Sequence, residues 1–210
     1  MAGSAHIIED SSLLSRLDRG LERIEAPLAL ISGLAVFSLM LLAVVSVSGR
    51  NAFNMPLPGY VDWIEMAMPL LAFLGISWTQ RQGGHIRMDI LIGRLRGRPA
   101  WAAEMLTTLV ALLLIGLLIW GSWAHFLRSI DFAAPLWSRD SSIDIKLPLW
   151  PAKLLVPVAF SVLALRLALQ FWGYAQAFAR NLPQPIAVPL PLTIEQQAAE
   201  EARHVSDGEI

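Results

Sequence analysis

Four stretches of the chain are apolar for long enough to cross a bilayer. Ala26 to Ser48 runs 23 residues without a charge, which at about 1.5 Å per residue covers a hydrocarbon core of roughly 30 Å. Tyr60 to Thr79 is a second run, with Asp62 and Glu65 in its first turns. A third is centred on the uncharged Met105 to Leu127, and Pro99 just before it suits the first turn of a helix. The fourth carries Pro151 and Pro157 early and Arg166 late, and its two prolines predict a bend. Ahead of the first run, residues 10–25 place Leu13, Leu14, Leu17, Leu21 and Ile24 in one arc of a helical wheel. Arg16, Asp18, Arg19, Glu22, Arg23 and Glu25 take the rest. That pattern predicts an amphipathic helix lying in the membrane interface.

The expected fold is therefore all-α. It is an integral membrane protein with four transmembrane helices, at about 26–48, 60–79, 101–127 and 149–172, plus an N-terminal amphipathic interfacial helix and a short cytoplasmic helical loop. Residues 1–25 form the N-terminal segment, 26–180 the membrane domain, and 181–210 a tail. The tail opens with Pro183, Pro185, Pro189 and Pro191 and then turns acidic, which predicts little fixed structure. The segment before the first span balances acids against bases and is followed by too long an apolar run for a signal peptide, so that span is expected to be retained.

Composition agrees: 55% of the 210 residues are apolar and 16% charged, with a mean hydropathy of +0.54, outside the range of an ordinary soluble domain. Cysteine is absent, which excludes disulfides, thiolate metal sites and a cysteine nucleophile. No basic patch interleaved with aromatics points to nucleic acid. The charge is segregated along the chain, and this sets an orientation. Between the second and third runs, Arg81, Arg87, Arg94, Arg96 and Arg98 face one acid, Asp89, and so basic a short loop stays on the cytoplasmic side. Adding Arg16, Arg19, Arg23, Arg180 and Arg203 puts ten bases on that side. Arg50, Arg128, Arg139, Lys146 and Lys153 put five on the other. Both termini are then expected in the cytoplasm. The tryptophans fit two aromatic belts, with Trp63, Trp120, Trp123, Trp137 and Trp150 at the outer ends and Trp78, Trp101 and Trp172 at the inner ones.

An ionisable group within a span costs on the order of 2.5–3.5 kcal/mol on insertion scales, so each one needs a reason. Glu65 lies one turn beyond Asp62 on the same helix face. It is expected to be structural, paired with Arg50 or Lys153 at the outer interface, and is too shallow for the midplane coupling site of a transporter. Arg166 sits some 17 residues into its span, where a long side chain is expected to snorkel to the inner interface. His125 is a lone histidine at a helix end and reads as an interfacial hydrogen-bonding residue. In the central loop, a helix through Ile86 to Arg96 would put Met88, Leu91, Ile92 and Leu95 on one face, with Ile86 and Ile90 nearly opposite. A second apolar face asks for a protein partner. No nucleophile with its base, phosphate cradle or metal-ligand cluster occurs, so neither an enzyme nor a cofactor is expected.

The order of these features resembles a known family, the small permease subunit of TRAP (tripartite ATP-independent periplasmic) transporters, of DctQ type. Carrying the resemblance are Arg50-Asn51-Ala52-Phe53-Asn54 after the first span, Glu65 early in the second, and Phe73-Leu74-Gly75 followed by Arg81-Gln82-Gly83-Gly84-His85-Ile86-Arg87-Met88-Asp89. Leu147-Pro148-Leu149-Trp150-Pro151-Ala152-Lys153 leads into the last span in the same way. Ala52 stands where an aromatic is commoner. The resemblance implies a bacterial or archaeal inner-membrane subunit scaffolding a large permease, which holds the substrate and sodium sites, while a periplasmic binding protein delivers a small organic acid of dicarboxylate-like kind. It places partner docking on Gly84, His85, Ile86, Arg87, Met88, Asp89, Leu91, Ile92 and Leu95. A membrane anchor for another complex, and a self-sufficient proton-coupled exporter using Glu65, are the rival readings.

Overall fold

The computed structural model describes residues 12–55, 57–83, 98–180 and Val188. Within them lie α1 (Leu13–Phe53), α2 (Tyr60–Phe73), α3 (Ile76–Arg81), α4 (Arg98–Ser129) and α5 (Trp150–Arg180), with one 3-10 turn at Pro135–Trp137. Taking α2 and α3 together, four helices are long and apolar enough to cross a membrane. The expected tail and the Gly84 to Leu95 docking loop lie outside the described residues, apart from Val188.

The amphipathic segment is helical, as its pattern predicts, but it is not a separate element. α1 runs 41 residues without a break, about 60 Å at 1.5 Å per residue, and carries the N-terminal segment straight into the first span. Ser12 begins it, its Oγ accepting from the Ser15 N–H at 3.4 Å. Asn54 ends it in the left-handed region at φ 50°, its N–H returning to the Arg50 carbonyl, the cap geometry that Asn tolerates.

The second span breaks at Leu74-Gly75 into α2 and α3, although the sequence reads as one uninterrupted helix. At the break Ser32 Oγ donates to the Leu71 carbonyl at 3.3 Å and Thr79 Oγ1 to that of Gly75 at 3.0 Å. The Gly75 carbonyl also accepts the Thr79 N–H at 3.0 Å, and hydroxyl side chains of this kind satisfy backbone groups at a helix break in lipid.

α5 is the hub, packing against all four other helices; α1 also lies on α2 and α3, whereas α4 leans mainly on α5. Phe160, Leu163 and Leu167 of α5 form the buried centre, with Phe73, Ile76, Ala111, Leu112 and Ile115 against them. The Phe73 and Phe160 rings meet edge to face at 5.1 Å. Lipid tails are as apolar as these side chains, so close packing and interhelical polar bonds hold such a bundle together. The start of α1, the end of α3, the start of α4 and the end of α5 share one end, the N-terminal end. The loops after α1 and α4 share the other, the loop end.

Candidate functional site

At the N-terminal end five charged side chains from three helices converge. Asp18 and Glu25 occupy one stripe of α1 with Leu14 and Leu21, at spacings of four, three and four residues, and all four are buried. Arg166 of α5 is completely buried. It grips Glu25 as a fork, Nε donating to Oε1 at 2.9 Å and Nη2 to Oε2, while Nη1 donates to Asp18 Oδ1. Arg81 of α3 takes the other side of Asp18, Nη2 donating to Oδ2 at 3.1 Å, and pairs through Nη1 with Glu22 at 2.6 Å. Ser77 Oγ donates to Glu25 Oε1 at 2.5 Å, and Gln80 Nε2 to Gln170 Oε1 at 2.8 Å. Bidentate, charge-assisted bonds of this kind are the strong ones, and a buried pair needs the additional hydrogen bonds seen here to offset its desolvation.

The expectation that Arg166 snorkels is overturned. Its guanidinium reaches no interface, because α1 brings two carboxylates to it within the bundle. The interfacial placement of the N-terminal segment changes for the same reason: its polar arc is partly covered by α3 and α5, while Leu13, Leu17 and Ile24 stay exposed. Sequence reading missed Asp18, Glu22, Glu25 and Arg81 as one site. The available signal was the stripe Leu14-Asp18-Leu21-Glu25-Ser32, which holds one face through five turns, together with an arginine deep in the last span lacking a partner of its own.

At the loop end Asp62, buried in the first turns of α2, gathers the segment before α5. Its Oδ2 accepts from Ser142 Oγ at 2.7 Å, the Asp144 N–H at 3.1 Å and the Ile145 N–H at 2.7 Å. Ser142 Oγ in turn accepts from the Leu147 N–H at 2.8 Å. Gly59, at φ +70°, lets Ile145 close on the start of α2: a Cβ there would lie 2.7 Å from its Cγ2. Farther along, Trp150 Nε1 donates to the Leu136 carbonyl at 3.0 Å, and Arg139 meets Asp131 at 3.3 Å. The Asp131 carboxyl is held below the usual carboxylate range by the Ala133 N–H and by Arg139. That of Asp140 is held down chiefly by Lys153.

The expected partners of Glu65 are therefore not supplied. Lys153 Nζ lies 2.6 Å from Asp140 Oδ2. Arg50 and Glu65 are both exposed, and neither side chain is paired among the described residues. Of the expected interfacial tryptophans, Trp63, Trp123 and Trp172 are substantially exposed. Trp78 lies near Arg81, whose Cζ is 5.9 Å from the ring, and Trp101 stacks on Tyr174 at 6.2 Å. Among the described residues no group of three or more His, Asp or Glu side chains is placed to hold a metal ion. The arrangement can lock helices to one another and a loop to a helix.

Compared with known families, residues 13–177 match the model of the DctQ component of tripartite ATP-independent periplasmic transporters. A comparison with curated proteins finds no match.

Proposed function

The chain belongs to the DctQ family, the small membrane subunit of tripartite ATP-independent periplasmic transporters, and from that premise we propose that it is a rigid brace for the large permease and moves no solute itself. The observation carrying this reading is the network of Asp18, Glu22, Glu25, Arg81 and Arg166, buried except at Glu22. It spends the buried charges of α1, α3 and α5 on one another, as a fixed scaffold would. A coupling site would instead need a carboxylate open to an ion.

In the full assembly the large permease carries the substrate and sodium sites, and a periplasmic binding protein delivers a small organic acid. The subunit sits in a bacterial or archaeal inner membrane with both termini in the cytoplasm. The N-terminal end of the bundle then faces the cytoplasm and the Asp62 loop the periplasm. The Gly84 to Leu95 segment docks the large permease from the cytoplasmic side, on the strength of its two apolar faces and its His85-Ile86-Arg87-Met88-Asp89 run.

Reconstitution into liposomes with an imposed sodium gradient tests the reading. We expect no uptake by this subunit alone, and uptake when it is combined with the large permease and the binding protein. Uptake by the lone subunit, or full uptake by the large permease without it, overturns the brace. If the Gly84 to Leu95 segment docks, His85→Ala with Arg87→Ala weakens co-purification of the two subunits.

A further inference from the structure

Asp62 and Glu65 are one turn apart on α2 and have opposite fates. Asp62 is enclosed by the chain's own loop, with three donors on one carboxylate oxygen. Glu65 is exposed, with no hydrogen bond or ion pair among the described residues, and its neighbours along the same stripe, Val61, Met68 and Ala72, are exposed as well. Spacings of four, three and four residues put these four on one face of the helix. That face is apolar except for the carboxylate.

A second feature marks the same residue. Pro69 lies four positions beyond Glu65 within α2 and has no N–H to give the Glu65 carbonyl. In a membrane such freed carbonyls are satisfied by neighbouring helices, by hydroxyl side chains or by water. Glu65 thus offers two carboxylate oxygens and a backbone carbonyl within a span, on a stripe that nothing among the described residues covers. Charged groups at such positions face protein interiors and pair.

We propose that the stripe Val61-Glu65-Met68-Ala72 is a docking face for a transmembrane helix of the large permease that carries an Arg or Lys level with Glu65. The proposal rests on the reading that this chain braces that permease, and names where and by what chemistry it does so. The apolar residues supply packing and the carboxylate fixes depth and rotation, because an unmatched charge within a span is costly whereas a matched one sets register. The identity of the occupant follows from the charge: lipid tails offer no donors to a carboxylate, and the Ser142 hydroxyl and the Asp144 and Ile145 N–H groups of the nearby loop are already taken by Asp62.

The test measures affinity between detergent-purified subunits for wild type, Glu65→Gln, Glu65→Lys and, as a stripe control, Ala72→Trp. Thermal unfolding of each lone variant serves as the folding check. Wild type binds; Glu65→Gln weakens binding at least about tenfold, as loss of one partner of a desolvated pair does. Glu65→Lys and Ala72→Trp abolish it, while the unfolding temperature of the lone subunit is unchanged. Failure of wild type to bind defeats the brace reading itself. Wild-type binding with unaltered affinity for Glu65→Gln and Glu65→Lys defeats the docking face alone, and assigns the carboxylate to the headgroup layer. Loss of transport by Glu65→Gln at unaltered affinity overturns the proposal in favour of a proton or ion site.

Discussion

Arg166 has its fork filled by Glu25 and its remaining arm by Asp18, so removing it leaves Glu25 buried without a cation and Asp18 with Arg81 alone. Arg166→Met should destabilise the lone subunit by about 3–5 kcal/mol, the cost of breaking a buried pair from one side, read as loss of helicity in a denaturant titration in detergent. Adding Glu25→Gln to Arg166→Met should restore part of that loss, because the stranded charge goes with the arginine while Asp18 keeps Arg81. The loop end answers to acid. The carboxyls of Asp131 and Asp140 lie below their ordinary value of 3.8 in the folded protein, the first through the Ala133 N–H and the second through Lys153. Their contribution is therefore complete above about pH 3.8 and is lost as pH falls through the depressed folded values. Fluorescence of Trp137 and Trp150 should be constant from pH 8 to 5 and shift only in strong acid. A change near pH 6 would exclude these carboxylates as its cause. The cost of burying Arg166 could be read in the sequence; its partners could not. They lie more than 140 residues away, and their stripe looks equally like the wet side of an interfacial helix.

Among the elements, the broken second span shows what local pattern conceals. Phe73-Leu74-Gly75 is apolar and passes for helix, and at the break Ser32 reaches the Leu71 carbonyl from α1, a tertiary contact. Gly75 itself is unstrained at φ −82°, and a Cβ there would meet Ser32 Oγ at 3.6 Å, ordinary contact. Gly75→Ala should thus be neutral or stabilising by less than about 1 kcal/mol, the helix propensity gained. Gly59→Ala should destabilise by about 1–2 kcal/mol through its left-handed backbone alone, with displacement of Ile145 added. A pair of unfolding curves in detergent decides this, and equal losses for the two variants would refute the distinction. Asp62→Ala should raise amide exchange at Asp144 and Ile145, which lose their acceptor, while leaving α4 and α5 protected. By contrast α4 (Arg98–Ser129) keeps close to its charge-free run, whereas α1 and α5 extend well beyond the expected 26–48 and 149–172. The amphipathic pattern foretold that residues 13–25 are helical and stayed silent on their continuing into the span.

At the scale of the whole molecule the four spans were legible because length and apolarity are the only requirements for crossing hydrocarbon, and the chain writes both plainly. Which spans touch was not, since apolar faces that meet lipid and those that meet α5 have the same composition. Orientation rests on a different quantity, the placement of bases. Arg81, which contributes to the basic side, is buried against Asp18 and Glu22, and subtracting it leaves nine bases on the expected cytoplasmic side against five on the other. Four of the nine lie between Arg87 and Arg98, in a short segment joining two spans, the kind of loop whose Lys and Arg decide insertion. With an even number of spans, that bias predicts both termini on the same side. A phosphatase active only outside the cytoplasm, fused after Asn54 or after Asp140, should be active, and fused after Gly93 inactive. The opposite pattern would invert the bundle, and would move the Asp62 loop to the cytoplasm, beyond the reach of any periplasmic partner. Replacing Arg87, Arg94 and Arg96 by Gln should weaken the bias enough for mixed activity at Gly93. Unchanged inactivity there would mean that the N-terminal arginines of α1 suffice to orient the chain.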